Sequence, residues 1–171
     1  KPHLDALDKK TLALIRGTAE RVHKRINARG LPELRFPERS LANVKYDQKV
    51  GYFELGKHTK SRALSVNTVK NFAQTLRLMS ISKEMVENDD FATKREAYYV
   101  SKNWGECKFD DQPESDAVMD DIEALASLDG LSREQLRFYP EEHGGSVAGN
   151  MVVLDRDPET GAEVRIDCQG F

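Results

Sequence analysis

The chain of 171 residues has only two cysteines and no apolar run long enough to cross a bilayer. Cys107 and Cys168 fit no metal-ligand spacing, so we expect two reduced thiols, with a disulfide as the alternative. The sequence shows no secretory leader, and these absences predict a cytoplasmic protein with no membrane partner. A charged fraction of 32% and a mean hydropathy of -0.64 are typical of an ordinary soluble protein.

Basic and acidic residues are divided unevenly along the chain. Up to Lys108 there are 22 lysines and arginines against 13 aspartates and glutamates, a net charge of +9. From Phe109 onward there are 4 against 16, a net charge of -12. The basic portion suits a polyanion, because neutralising phosphates and releasing their counterions drives much of nucleic-acid binding. The acidic portion argues against DNA covering the whole surface, although simple solvation explains it equally well.

A short helix is predicted between residues 94 and 103. The polar stretch Asn88 to Asp90 breaks the preceding pattern, Thr93 is a suitable N-cap, and Gly105 is a suitable stop. The predicted helix carries several basic side chains. A basic setting is what a phenol needs in order to attack a phosphate.

Two adjacent tyrosines, Tyr98 and Tyr99, lie on this predicted helix. A free tyrosine has a pKa near 10, so only about one in a thousand is phenolate at neutral pH, and a nucleophilic role needs activating neighbours. Arg95 precedes Tyr99 by four residues, which places guanidinium and phenol on one face, about one turn apart. A fixed positive charge beside a phenol favours the phenolate and can hold a phosphate oxygen. Tyr98 points about 100° away and is expected to pack inward.

Spacing alone leaves a simpler alternative for this helix. In that interpretation both tyrosines are core or interface aromatics, and the basic side chains beside them form a solvated face. The alternative needs no chemistry, and the spacing by itself favours it.

The string Ala92-Thr93-Lys94-Arg95-Glu96-Ala97-Tyr98-Tyr99 resembles the active-site tyrosine motif of the A subunit of archaeal DNA topoisomerase VI, a type IIB topoisomerase. It is also similar to the motif of the related meiotic double-strand-break transesterase. The resemblance covers roughly residues 60 to 170, because further segments follow the family order. These segments are Glu114-Ser115-Asp116, Asp120 to Leu125, Arg133 to Leu136, Gly144 to Gly149 and Ile166-Asp167-Cys168.

The resemblance implies that Tyr99 is the nucleophile and that Arg95 stabilises charge beside it. It implies an ATP-dependent type II DNA topoisomerase, an isomerase that breaks and reseals duplex DNA through a transient 5′-phosphotyrosyl link. In this family Mg2+ is held by a Toprim domain and ATP is bound by the B subunit of topoisomerase VI. Two A subunits form a homodimer within an A2B2 heterotetramer. We predict no metal ligand in this chain, and contacts to backbone phosphates from Lys94, Lys102, Lys60 and Arg62.

The order of predicted elements indicates an α+β fold. The pattern predicts a helix over residues 4–28, a β hairpin from 41–46 and 50–55, a basic loop over 56–62, a helix over 66–86 capped by Ser65 with a jog at 80–82, a helix from near Ser115, and strands over 147–154 and 162–168. Three helices followed by a β hairpin are the layout of a winged helix, and the resemblance implies the same CAP-like fold. We therefore predict an N-terminal extension, residues 1–60, and a tyrosine-bearing winged-helix domain for DNA binding and cleavage, residues 61–171.

Two acidic strings invite comparison with metal sites. Asp155-Arg156-Asp157 imitates the Asp-x-Asp of a Toprim magnesium site, but Pro158 and Gly161 predict a turn there. Asp120 to Glu123 spreads its carboxylates around a helix and is predicted to be a solvated face or a surface that DNA avoids. Because the Toprim pattern is absent, we expect the N-terminal part of a longer subunit that does not cleave DNA efficiently alone.

Two functions of other classes are also consistent with the sequence. A non-catalytic winged-helix DNA-binding module, as in a regulator or a scaffold, uses the same basic residues while Tyr98 and Tyr99 only pack. A protein-interaction domain that uses the acidic half shows no salt-sensitive affinity for DNA.

Overall fold

The chain divides into two units, residues 1–141 and 142–171. Among its described residues, the larger unit contains four α-helices. The computed structural model describes residues 4–49, 51–140, 149–156 and 161–169. Within this part the α-helices are α1 (Ala6–Asn27), α2 (Val69–Asn88), α3 (Lys94–Ser101) and α4 (Gln112–Ser127). Single 3-10 turns occur at Leu41–Asn43, Gly105–Cys107 and Glu134–Leu136.

The predicted helices are confirmed, but side-chain hydrogen bonds move two of their starts. Helix α2 follows Thr68 rather than Ser65, and the Thr68 hydroxyl accepts a hydrogen bond from the Ser65 N–H at 2.9 Å. Helix α4 begins three residues earlier than predicted, because the Asp111 carboxylate caps it by accepting the Glu114 N–H at 2.9 Å. The predicted jog in α2 is absent, since the Ser82 hydroxyl donates to the Leu136 carbonyl at 2.8 Å instead of to its own helix.

The strands pair two by two, and the mixture of helices and small sheets confirms the α+β class. The strands are β1 (Glu33–Pro37), β2 (Val44–Asp47), β3 (Tyr52–Leu55), β4 (Thr59–Ala63), β5 (Ala92–Thr93), β6 (Phe138–Tyr139), β7 (Val152–Arg156) and β8 (Glu163–Asp167). Pairing is antiparallel for β1–β4, β2–β3 and β7–β8, and parallel for β5–β6.

The β2–β3 pairing confirms the first predicted hairpin, but its first strand starts later than predicted, because Leu41–Asn43 form a 3-10 turn. Val50 lies outside the described residues. The predicted basic loop over 56–62 is wrong, because residues 59–63 form strand β4 and pair with β1. The division predicted after residue 60 falls inside this strand. The apolar alternation that marks a strand is missing from β4, so its pairing with β1 was not readable from its own residues.

The core of the first unit is formed where α2, α3 and α4 meet. Phe109, Leu78 and Ile122 are among its buried members and are at most 1% exposed. Burying side chains of this size contributes about 1.5–3 kcal/mol each. Ala97 of α3 is 1% exposed in the same cluster, so one face of the short helix is fixed against the core.

The second unit contains the β7–β8 hairpin, whose described residues are exposed. It confirms the two strands predicted near the end of the sequence but shifts the first of them, since residues 149–151 lie outside it and Asp155 and Arg156, predicted in the turn, belong to β7. Val147 and the predicted turn residues Asp157 and Pro158 lie outside the described residues. The winged-helix arrangement stays a prediction. Cys107 and Cys168 are both free thiols. Across the described ranges, none of the helices combines the length and the apolar character that crossing a membrane requires.

The buried carboxylate of Asp121 on α4 forms ion pairs with three cationic side chains. Its oxygens lie 2.9 Å from Lys60 Nζ, 2.8 Å from Arg62 Nη2 and 3.1 Å from Arg39 Nε. Its side chain is only 4% exposed, so the prediction of a solvated face is wrong for this residue. Strand β4 and the segment after β1 are thereby tied to α4.

The three cations decide the ionisation of this carboxyl group. Burial by itself raises the pKa of Asp121, but hydrogen bonds from Lys60 and Arg62 and the charge of Arg39 outweigh it and hold the pKa below its ordinary value. The folded state therefore favours the carboxylate more than the unfolded chain does. This contribution to stability is fully present above the unfolded pKa of about 3.9 and is lost as the pH falls through the lower folded pKa.

Replacing Asp121 with asparagine is expected to lower the free energy of unfolding by about 3 kcal/mol at neutral pH, because three cations lose their shared anion. The wild-type protein should also lose stability more steeply than Asp121→Asn as the pH falls below about 4. Urea denaturation of both proteins from neutral pH to about pH 3 measures both effects. Asp129→Asn, at an exposed residue that forms no ion pair in the described part of the chain, serves as the control. Equal losses from the two substitutions would contradict this account.

Candidate nucleic-acid cleavage site

Helix α3 starts at a capping box that fixes its first turn. The Thr93 hydroxyl accepts the Glu96 N–H at 3.1 Å, and the Glu96 carboxylate accepts the Thr93 N–H at 2.7 Å. Thr93 also belongs to β5, which pairs with β6. The predicted N-cap is confirmed, and both its side chain and its backbone hold the start of the helix.

The two tyrosines of α3 occupy different environments. Tyr98 is partly buried and packs against the core, whereas Tyr99 is 54% exposed. Their ring centroids are 5.4 Å apart with an interplanar angle of 49°. The predicted difference in direction is therefore confirmed, and Tyr99 is not a core aromatic. An interface role for Tyr99 stays the alternative.

The exposed phenol of Tyr99 lies beside the guanidinium of Arg95. Arg95 Nη2 is 3.5 Å from the Tyr99 hydroxyl oxygen, and its Cζ lies 5.8 Å from the centre of the ring. The four-residue spacing thus brings both groups to one face of α3, as predicted. A polyanion that reaches this face meets a phenolic oxygen and a donor suited to phosphate within one helical turn.

The two lysines predicted as phosphate contacts on this segment have partners within the protein. Lys102 Nζ donates to the Phe109 carbonyl at 2.8 Å and lies 4.1 Å from the centre of the Tyr98 ring. Lys94 Nζ points to α4, at 3.7 Å from an Asp120 oxygen and 3.9 Å from an Asp116 oxygen. Lys102 therefore supports the packed tyrosine, and Lys94 joins α3 to α4.

Lys60 and Arg62 are held by Asp121 rather than by the tyrosine helix. Arg62 also lies over the Phe36 ring, with Cζ 5.0 Å from its centre. Of the predicted site residues, the structure brings Tyr99 and Arg95 together. The DNA contacts of the four other cations stay predictions.

Sequence reasoning missed the supporting role of Glu96. Its carboxylate closes the capping box on Thr93, and the Thr-x-x-Glu spacing that signals such a box is visible in the sequence.

The described residues do not form a metal site. Among the residues that the structure describes, no three His, Cys, Asp or Glu side chains converge. The described part of the chain therefore offers no ligand set that fits Mg2+.

Two family models match the chain. The model described as "Type IIB DNA topoisomerase" matches residues 70–137, which include α3 and its neighbours. The model described as "All-beta domain in DNA topoisomerase VI alpha subunit" matches residues 141–171.

Similar curated proteins are named as the A subunit of type 2 DNA topoisomerase 6. The protein of Methanocaldococcus jannaschii is 47% identical over 137 residues, which cover 80% of this chain and 36% of that protein. The protein of Archaeoglobus fulgidus is 30% identical over 167 residues, which cover 95% of this chain and 44% of that protein. The chain thus spans less than half the length of these relatives. Together with the tyrosine motif on α3, these matches show that the chain belongs to the type IIB DNA topoisomerase family, as a homologue of the topoisomerase 6 A subunit.

Proposed function

We propose that this chain carries the DNA-cleaving tyrosine of an ATP-dependent type IIB topoisomerase. The observation that carries the proposal is the exposed Tyr99 phenol, whose oxygen lies 3.5 Å from the Arg95 guanidinium, beside a neighbouring tyrosine that packs against the core. The relatives named as topoisomerase subunits support the same assignment. Double-stranded DNA is the proposed substrate.

The proposed reaction is a transesterification at a backbone phosphate. The Tyr99 oxygen forms a bond to phosphorus, and the bond between phosphorus and the 3′ oxygen breaks. The phenolic proton leaves to solvent, and the departing oxygen takes up a proton to become a 3′-hydroxyl. One phosphodiester is exchanged for one 5′-phosphotyrosyl ester, so the reverse reaction can reseal the strand without another energy source.

Arg95 is the proposed partner of the phosphate. Its guanidinium presents several N–H donors in one plane, which suits the non-bridging oxygens of a phosphate. Because the same group already reaches the Tyr99 hydroxyl, a phosphate bound to it lies within reach of the nucleophile. Arg95 also stabilises the negative charge that develops during the transfer.

The cofactors and partners of the reaction are proposed from the family. The type IIB family is consistent with the use of Mg2+ and ATP, and a partner subunit is implied because the relatives are named as A subunits. We propose that a Toprim domain holds Mg2+, that the B subunit binds ATP, and that two A subunits assemble with two B subunits in the cytoplasm. Since the described residues offer no Mg2+ ligand set, every step assigned to this chain uses Tyr99 and Arg95 alone.

Tyr99→Phe is expected to abolish the covalent link to DNA, because it removes the single attacking oxygen and leaves the ring. The measurement uses the full-length subunit with its B partner, Mg2+, a nonhydrolysable ATP analogue and end-labelled plasmid, quenched with detergent. Tyr98→Phe is the matched control and should retain the adduct. Both variants should bind duplex DNA as the wild type does.

Two outcomes of that experiment would contradict the proposal. Adduct formation that survives in Tyr99→Phe and disappears in Tyr98→Phe would move the nucleophile to the neighbouring residue. A well-folded wild-type complex that binds DNA and forms no adduct would favour the non-catalytic DNA-binding module.

Arg95→Ala is expected to slow adduct formation about 100-fold, the size of effect seen when one charge-stabilising donor is removed from an active site. Arg95→Lys keeps the charge but loses the planar pair of donors, so its rate should fall between those of the alanine variant and the wild type. Single-turnover cleavage at saturating DNA gives these rates. A rate for Arg95→Ala within about twofold of the wild type would exclude a direct role for the guanidinium.

A further inference from the structure

A basic pocket lies between the second half of α1 and strand β1. Its volume is about 540 Å³. Thr18, Leu34 and Leu125 form its inner lining, and the first two are at most 3% exposed. The remaining residues that line the pocket are charged and surround this inner part.

Three cations of α1, Arg21, Lys24 and Arg25, line this pocket. Their spacing of three and four residues places them on one face of the helix. Within the described ranges, none of the three forms an ion pair with a carboxylate. They differ in this from Lys60, which is held by Asp121.

Local contacts hold the two arginines in place. Arg21 Nη2 donates to the Thr18 hydroxyl at 2.9 Å. The Arg25 guanidinium lies against Gly30, where a Cβ atom would stand 3.2 Å from Arg25 Cζ and 3.4 Å from its Nε. These guanidinium groups are therefore partly ordered before a ligand arrives, which lowers the entropic cost of binding.

The opposite wall carries Arg35 and the carboxylate of Glu33. Glu33 is already engaged, with one oxygen 2.7 Å from the Ser61 hydroxyl and the other 2.6 Å from Arg35 Nη2. Hydrogen bonds from Ser61 and Arg35 lower the pKa of Glu33 and keep it ionised. The three cations of α1 thus face an arginine and one carboxylate across the pocket, and the net charge of the lining is positive.

We propose that the pocket formed by Arg21, Lys24, Arg25 and Arg35 is a phosphate-binding site. A phosphate group offers several acceptor oxygens, which matches donors that converge from α1 and β1. We assign the phosphate to the backbone of duplex DNA, and this assignment rests on the proposed function. A free phosphate ion presents the same chemistry and is distinguished by experiment.

The test compares the salt dependence of DNA binding in two charge-matched double variants of the full chain. Arg21→Gln with Arg25→Gln removes two charges from the pocket, and Lys9→Gln with Lys10→Gln removes two from the same helix outside it. The pocket variant should reduce the slope of log K against log salt by about 2, close to one for each phosphate that is no longer neutralised. The control should change it by less than about 0.5, and thermal unfolding checks that both variants fold.

Gly30→Ala provides a second test in which no charge changes. The added methyl group displaces the Arg25 guanidinium from its position against the backbone. Affinity for DNA should therefore fall several-fold, while thermal unfolding stays close to that of the wild type. A matched Gly17→Ala variant, whose Cβ would meet only Arg21 Nη1 at 3.6 Å, should bind DNA normally.

Titration with inorganic phosphate alone identifies the source of the phosphate. Phosphate that raises the unfolding temperature of the wild type but not of the pocket variant, with DNA binding unaffected by the substitutions, supports a site for the free ion. A reduced DNA slope without any phosphate-induced stabilisation supports the DNA backbone. Equal losses in the two double variants would overturn the proposal and leave a solvated basic face. A pocket variant that fails only to bind the B subunit would overturn it in favour of an acidic protein partner.

Failure of this proposal can be separated from failure of the proposed function. If Tyr99 forms the DNA adduct and the pocket variant keeps the wild-type salt slope, the pocket assignment fails and the cleavage function stands. If the slope falls but no adduct forms, the pocket binds DNA and the cleavage function fails.

Discussion

The carboxylate of Asp121 is a buried charge that the fold has to compensate, and the compensation joins separate parts of the first unit. A buried ion without partners is costly, so Asp121 requires the cations that reach it from β4 and from the segment after β1. On the same helix, Asp116 and Asp120 face Lys94 at the start of α3. The carboxylates of helix α4 thus form ion pairs with the sheet of β1 and β4, with the segment after β1, and with the tyrosine helix α3.

These ion pairs change how the uneven distribution of charge along the sequence is interpreted. The basic portion and the acidic portion partly neutralise each other, since Lys70 pairs with Asp110 across the same division that Lys60 and Asp121 bridge. A basic residue that already holds a buried carboxylate cannot move to a phosphate without leaving that carboxylate unpaired. Cations that form no ion pair in the described part of the chain, as on the second half of α1, carry no such penalty. Net charge along the sequence therefore says less about DNA contacts than the pairing of each cation does.

Local patterns predicted the local structure well. The helix that carries the tyrosines, its Thr93 cap and the different directions of Tyr98 and Tyr99 all follow from spacing within one or two helical turns. The β1–β4 pairing was not predicted, because it joins strands that are distant in sequence and β4 shows no apolar alternation. Burial of Asp121 was missed for a related reason, since nothing in its neighbourhood along the helix reveals partners on β4.

The candidate site was predictable in part. Arg95 and Tyr99 were found because both lie on one short helix, and the family resemblance then gave the pair a chemical role. The sequence also places Lys94 and Lys102 near this pair. In the structure Lys94 contacts Asp120 and Lys102 donates to the Phe109 carbonyl, and these contacts depend on the tertiary structure. Tyr99 is therefore distinguished from Tyr98 by the different surroundings of two adjacent tyrosines.

The most direct test of Tyr99 as the nucleophile is to identify the tyrosine that becomes linked to DNA. The covalent complex formed by the complete enzyme would be digested with nuclease and trypsin, which cuts after Arg95 and Lys102 and releases one peptide with both tyrosines. Fragment ions from mass spectrometry then place the added nucleotide on one residue or the other. We expect the nucleotide on Tyr99, and a nucleotide on Tyr98 would contradict the assignment of Tyr99 as the nucleophile.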